Sequence, residues 1–211
     1  MFVNKIGQQH LEYGMNCQDY GVEKENSKMV CDGCSEGKHS EVGVKLFCHL
    51  VDLGFGIPYA FETLVNYLFP TQELIRDYIC FTILYVTETE DHFVTGYCGD
   101  GYFILQDQEG NITFEKIDDG EYPKYYAYNY CEKDKLKYYK EGVPFVFGAY
   151  DKREYKNIGV ASDGIRFIVE SEDQKLKNEF IELLKTGSSV KMKRFINRNQ
   201  KLFKDDVTIA F

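Results

Sequence analysis

The tightest restriction on the fold is a change of hydrophobic period at Phe81. Upstream, "HSEVGVKLFCHLVDLG" carries Val42, Leu46, Phe47, Leu50 and Val51 at helical spacing. Ser40 is placed to cap this helix and Gly54 to stop it. A second helix is expected over much of 57–68, and Thr71 opens a third. From Phe81, "FTILYVTETEDHFVTGYCGDGYFILQDQEGNITFEKI" reads as strands divided by turn residues at 88–91, Asp100-Gly101 and Glu109-Gly110-Asn111. Consecutive antiparallel hairpins are their simplest connection, which predicts a β-meander. Residues 122–142 are rich in tyrosine and lysine and have no clean period. "NIGVASDGI" is a further strand, helical stretches follow near 173–184 and 189–199, and "DDVTIAF" is a last strand. Strands with segregated helices give an α+β layered domain. No repeat or low-complexity linker divides the 211 residues, so 1–211 is read as one domain.

Several predicted strand ends carry aspartate: Asp32-Gly33, Asp100-Gly101 and Asp163-Gly164, with Gln18-Asp19 and Asp205-Asp206 at two more. A single Asp-Gly pair is a turn signal, because glycine tolerates positive φ and aspartate bonds its own backbone. Several such ends on one side of a sheet would crowd like charges, and divalent cations relieve that repulsion. Magnesium and manganese take hard oxygen ligands and keep several waters.

"VCDGCSEGKHSEVG" superficially suggests a nucleotide loop. Such a loop needs four residues between its glycines and a hydroxyl residue after the lysine. Only three residues separate Gly33 from Gly37, and His39 follows Lys38. Asp32 is therefore better read as a metal ligand on a strand end. Two ions about 3.5–4 Å apart would hold a bridging water, lower its pKa and aim it at phosphorus. No cysteine is followed six positions later by arginine, so the cysteine-based phosphatase loop is absent.

The formal charge of −9 disfavours nucleic acid and anionic membrane as partners. Seven cysteines without framework spacing, an opening "MFVNKIGQQH" unlike a signal peptide, and no apolar run of spanning length predict a cytoplasmic protein with free thiols. Cys31 and Cys34 lack the second pair of a zinc site and the helix start of a redox motif, and are read as neighbours of Asp32.

In order along the chain, "NCQD", "VCDGCSEGKHSEVG", "GYCGDGYFIL", "GVASDGI" and "KDDVTIAF" resemble the motifs of metal-dependent protein phosphatases of type 2C. The first motif, within "GQQHLEYGMNCQD", is similar to that of a bacterial branch. The resemblance implies a four-layer α-β-β-α sandwich of two antiparallel sheets, with two Mg²⁺ or Mn²⁺ ions at one edge. It implies that Asp32 bridges the ions, that the Gly33 carbonyl ligates the second, and that Asp163 and Asp205 hold the first. Asp19 would act through metal-bound waters, and Asp100 would organise the ligands from behind or simply turn a hairpin.

The departures are Gln18, where glutamate is common, and Gly14, where a phosphate-gripping arginine is usual. His10 is the best substitute, as phosphate donor or general acid. The third-metal Asp-His pair has no clear match, with Asp118 and Asp119 nearby. Asp206 stands where asparagine is frequent, and would compete with Asp205 for an ion or cap the turn. His39 is beside the proposed site, His49 is a polar helix residue and His92 opens a strand. Residues 122–139 are expected to form a shortened flap over the metal face.

The implied activity is a monomeric serine/threonine phosphoprotein phosphatase of bacterial signalling, acting on a phosphorylated protein. The alternatives are a catalytically weak or inactive relative that binds a phosphorylated partner, and a phosphatase for small phosphate esters.

Overall fold

Alternation along the strands sorts the apolar side chains into three core layers. In β3 (Ser27–Gly33), Met29 and Cys31 face outward while Val30 faces inward; in β4 (Phe81–Glu88), Phe81 and Ile83 are outward and Leu84 and Val86 inward. In β6 (Gly101–Asp107), Tyr102 and Ile104 take the outer side and Phe103 and Leu105 the inner. A two-residue period with both faces apolar is what a strand covered on both sides requires. The computed structural model describes residues 1–117, 120 and 122–211, so the expectations for Asp118 and Asp119 lie outside the described residues.

Two five-stranded antiparallel sheets result. One has the order β2-β3-β4-β5-β8, with β2 at Tyr20–Lys24, β5 at His92–Cys98 and β8 at Val146–Asp151. The other is β1-β10-β9-β6-β7, with β1 at Phe2–Lys5, β7 at Ile112–Ile117, β9 at Tyr155–Ala161 and β10 at Val207–Ala210. Val30, Leu84, Phe103 and Val160 pack between the sheets.

Helices α2 (Ser40–Asp52), α3 (Ile57–Thr63) and α4 (Gln72–Tyr78) cover the first sheet, with Phe47 at 4.9 Å from Phe61 and 5.1 Å from Phe81. Helices α6 (Gln174–Thr186) and α7 (Ser189–Arg198) cover the second through Phe180, Leu184, Met192 and Phe195. Each fully buried ring of this kind stabilises the fold by about 1.5–3 kcal/mol. The four layers are those expected from the resemblance.

The β-meander is not formed as expected. β4–β5 and β6–β7 are hairpins, but between Cys98 and Gly101 the chain passes from one sheet to the other. Gly99 and Gly101 have φ of +103° and +140°, and an added Cβ on Gly99 would lie 2.5 Å from Thr82 Cβ. Only glycine suits such a crossing. Asp100 therefore stands at the sheet-to-sheet passage and not in a hairpin turn.

Thr71 does cap α4, accepting from the Leu74 amide, and Asp173 and Ser188 cap α6 and α7. Ser40, by contrast, is the first residue of α2 and makes no cap; its hydroxyl is buried without a partner. The helix over 57–68 changes after Thr63 into one π-helical turn, Leu64–Leu68. Elements without a sequence forecast include β1, α1 (Gln8–Tyr13), β2 and the exposed edge strand β8.

Residues 122–142 form two 3₁₀ turns, Tyr126–Tyr130 and Lys133–Lys135. Tyr125, Ala127, Cys131 and Leu136 join the outer core beside α2 and α4. Together with Cys34 and Gly37, this segment lines a cavity of about 630 Å³ next to the Asp32 strand end. No helix among the described residues is long and apolar enough to cross a membrane.

Candidate metal centre

Strand pairing brings distant aspartates to one edge of the sandwich. β9 ends at Ala161, which pairs with Ile209 of β10, so the chain entering β10 at Asp205 and Asp206 runs beside the chain leaving β9 at Asp163. Ser162 locks this approach: its amide donates to Thr208 O at 3.0 Å and its Oγ accepts from the Thr208 amide at 3.0 Å. Asn4 of β1 donates to Asp19 O at 2.9 Å and to Thr208 Oγ1 at 2.7 Å, which holds the start of β2 against β10.

At the end of β3, a Cβ on Gly33 would meet Gln18 O and Ser40 Oγ, both at 2.7 Å. The absent side chain lets the 18–19 segment, β3 and α2 come together there.

The carboxylates at this edge repel one another. Asp19 is 1% exposed, and among the described residues neither of its oxygens has a well-aligned donor, although the Ser162 hydroxyl and the Asp32 carboxyl lie against it. Its carboxyl meets that of Asp32, and two carboxyls can bond only by sharing a proton. Burial drives both well above the carboxylate range, helped by Asp206 at Asp19 and by Asp19, Asp163 and Asp205 at Asp32. Asp163 is pushed up to about 6 by burial, with Asp205 and Asp100 adding to the rise and Arg166 opposing it. Arg166 Nη1 donates to Asp163 Oδ2 at 2.7 Å, and Nη2 lies 3.8 Å from Asp205 Oδ2.

The structure thus brings together Asp19, Asp32, Asp163 and Asp205, with Asp100 close enough to raise Asp163. Gln18 is buried nearby; its Nε2 is 3.4 Å from Cys34 O and 3.5 Å from Gly37 O, while Oε1 has no partner. His10 is buried on α1 with Nδ1 2.9 Å from Asp206 Oδ2, and this partner raises its pKa above the usual value. Asp206 is engaged in holding backbone: Oδ1 accepts from the Gly7 amide at 2.7 Å and Oδ2 from the Gln18 amide at 2.6 Å. His39 is exposed and lies 5.1 Å from the Tyr78 ring, and His49 and His92 are also exposed.

The sequence reading missed Arg166 and the fixed role of Asp206. The signal for Arg166 was its three-residue spacing from Asp163 on a helical turn.

The donor set fits a hydrated hard cation. It consists of crowded, partly desolvated carboxylates; Asp19 lacks a well-aligned donor, and a guanidinium already answers two of the others. Among the described residues, no three ligating side chains form a finished cage. An ion that keeps several waters does not need one.

No protein-family model matches the sequence, and no curated protein sequence matches it. Solved structures do match in shape. Serine/threonine phosphatase Stp1 from Staphylococcus aureus aligns at 15% identity over 99% of this chain and 92% of that one, with a TM-score of 0.61. The Mycobacterium tuberculosis serine/threonine phosphatase PstP/Ppp aligns at 13% identity over 99% and 95%, with a TM-score of 0.66. The PstP catalytic domain in complex with two manganese ions aligns at 15% identity over 99% and 94%, with a TM-score of 0.59. At these identities the likeness establishes a shared fold.

Proposed function

From the fold that this chain shares with bacterial serine/threonine phosphatases of type 2C, we propose that residues 1–211 act as one Mg²⁺- or Mn²⁺-dependent phosphoprotein phosphatase domain. The observation that carries this reading is the meeting of Asp19, Asp32, Asp163 and Asp205 from separate segments, with both Asp19 oxygens buried and lacking a well-aligned donor among the described residues. A pure scaffold gains nothing from such a cluster, since buried like charges cost stability. Asp32, the Gly33 carbonyl, Asp163 and Asp205 are the residues that would hold two ions. The manganese-bound neighbour of the same fold supports that number. Such ions supply a water that is nucleophilic near neutral pH and charge that stabilises the phosphoryl group.

The chain's own groups then position and protonate. Asp19 would orient waters carried by the ions, and Asp100 would back Asp163. Gln18 fixes the loop at Cys34 and Gly37. His10, held through Nδ1 by Asp206, has Nε2 left to donate to a phosphate oxygen or a leaving alkoxide. Its raised pKa keeps it protonated further toward neutral pH. All seven cysteines are free, which supports a reducing, cytoplasmic setting.

Hydrolysis of a phosphothreonine peptide with and without Mn²⁺, with a chelator control, tests the reading. Metal-dependent phosphate release is expected. Tight Mn²⁺ binding without turnover would favour the inactive, phosphate-binding alternative, and faster turnover of sugar phosphates than of phosphopeptides would move the substrate to small esters.

A further inference from the structure

Arg166 stands where a cation is needed. It is the first residue of α5 (Arg166–Val169), one turn after Asp163, so its side chain returns over the strand end. Its guanidinium carbon lies 4.8 Å from the Phe167 ring centroid, a cation–π contact that steadies the side chain beside the site. The guanidinium reaches Asp163 at hydrogen-bond distance and Asp205 at 3.8 Å, which is ion-pair range only. These two carboxylates are the ones assigned to the first ion. The Arg166 side chain is 42% exposed, so it can leave without passing through packed core. One carboxylate pair therefore faces two claimants, a divalent ion and a planar, always-charged fork.

We propose that Arg166 is an exchangeable counter-cation, which neutralises Asp163 and Asp205 in the metal-free protein, yields them when an ion binds, and then takes the phosphoryl oxygens of the substrate. This rests on the metal-dependent reading above. A released guanidinium at the mouth of the site offers paired N–H groups suited to a phosphate dianion.

The test compares wild type with Arg166→Met and Arg166→Lys by calorimetry, first titrating Mn²⁺ into metal-stripped protein and then inorganic phosphate into the Mn²⁺-loaded form. In Arg166→Met, Mn²⁺ binding should tighten about fivefold, the scale of a half-exposed ion pair, while phosphate binding weakens about tenfold, as for a lost charge-assisted hydrogen bond. Arg166→Lys should keep near-normal Mn²⁺ affinity and still lose phosphate affinity, because an ammonium lacks the fork; if the methionine protein fails to fold, Arg166→Gln, which also removes the charge, carries the metal arm with the same expected tightening. Opposite shifts for metal and phosphate are not expected of a merely structural arginine. Unchanged or weaker Mn²⁺ binding in Arg166→Met, with wild type binding Mn²⁺ normally, overturns the exchange and leaves the metal centre standing. Unchanged phosphate binding overturns the handover. Wild type that binds no Mn²⁺ overturns the metal centre itself, and this proposal with it.

Discussion

His10 Nδ1 and Asp206 Oδ2 are 2.9 Å apart, so one contact ties the first helix to the residue that leads into the last strand. The contact is close without good hydrogen-bond alignment, and the same carboxylate accepts from the Gly7 and Gln18 amides. Asp206 thus serves three clients from the N-terminal segment while Asp205, its neighbour, faces Arg166 and the cluster.

Replacing Asp206 by alanine should cost about 3 kcal/mol, since two buried amides lose their acceptor and each such loss is worth about 1–3 kcal/mol. Asp206→Asn, which retains one acceptor oxygen, should fall between. Urea unfolding midpoints measure both. A wild-type midpoint for Asp206→Ala would mean that water or a neighbour satisfies those amides.

Asp163→Asn should lower Mn²⁺-dependent turnover by at least about 100-fold, the upper end of what loss of a supporting group costs a metal site. The fold should survive, because removing one like charge relieves the crowd. Circular dichroism and peptide hydrolysis together check this, and a folded variant with normal turnover would dismiss Asp163 as a ligand.

The metal-free protein should lose stability as pH rises from about 4, through the Asp163 value near 6, and on to 8 as His10 loses its proton. Asp163 is raised to about 6 by burial and its acidic neighbours, so the folded state holds a proton that the unfolded chain has already released. A raised acid stabilises fully below its unfolded pKa and ceases to do so once pH passes its folded one. Asp19 and Asp32, raised by burial, act in the same direction. So does His10, raised by Asp206, whose contribution fades above its ordinary value of 6.5. In chelator, the melting temperature should drop by roughly 5 °C over this range, at about 2–4 °C per kcal/mol for a chain of this size. Mn²⁺ should restore more at pH 8 than at pH 5.5. A metal-free melting temperature that climbs across the window would refute the crowding.

His10→Gln should flatten the alkaline limb of the pH–rate profile, because the wild-type limb reports loss of the His10 proton. The comparison is kcat/KM against pH on one phosphopeptide. Superimposable profiles would remove His10 from proton transfer and leave it as a strut for Asp206.

Asp32, Asp163 and Asp205 were legible because each follows or precedes an apolar strand pattern with turn chemistry beside it. Asp206 was not, since two adjacent aspartates look alike in sequence; only packing leaves one 2% exposed and the side chain of the other 37% exposed. The passage between sheets at Asp100 was hidden for a related reason: Gly-Asp-Gly serves a hairpin and a crossing equally well. β8 escaped notice because "VFGAYD" is an exposed edge whose pattern no buried face disciplines. Residues 122–142 had no period to read, and their turns are held by tyrosines packed on the helical layer.

The spread of the aspartates along the chain has a consequence for biosynthesis. Asp19 is made early, but the strand that carries Asp205 and Asp206 to it is the last of the described strands, and among the described residues β1 pairs with that strand alone. A ribosome-bound intermediate can assemble the β2–β5 ladder and its helices, yet it has neither the partner of β1 nor the anchor for Gly7 and Gln18. The centre should therefore ripen in a single late event governed by long-range strand docking, the slow kind of step in folding. A nascent chain would leave the aspartate cluster unassembled until residue 206 had left the exit tunnel.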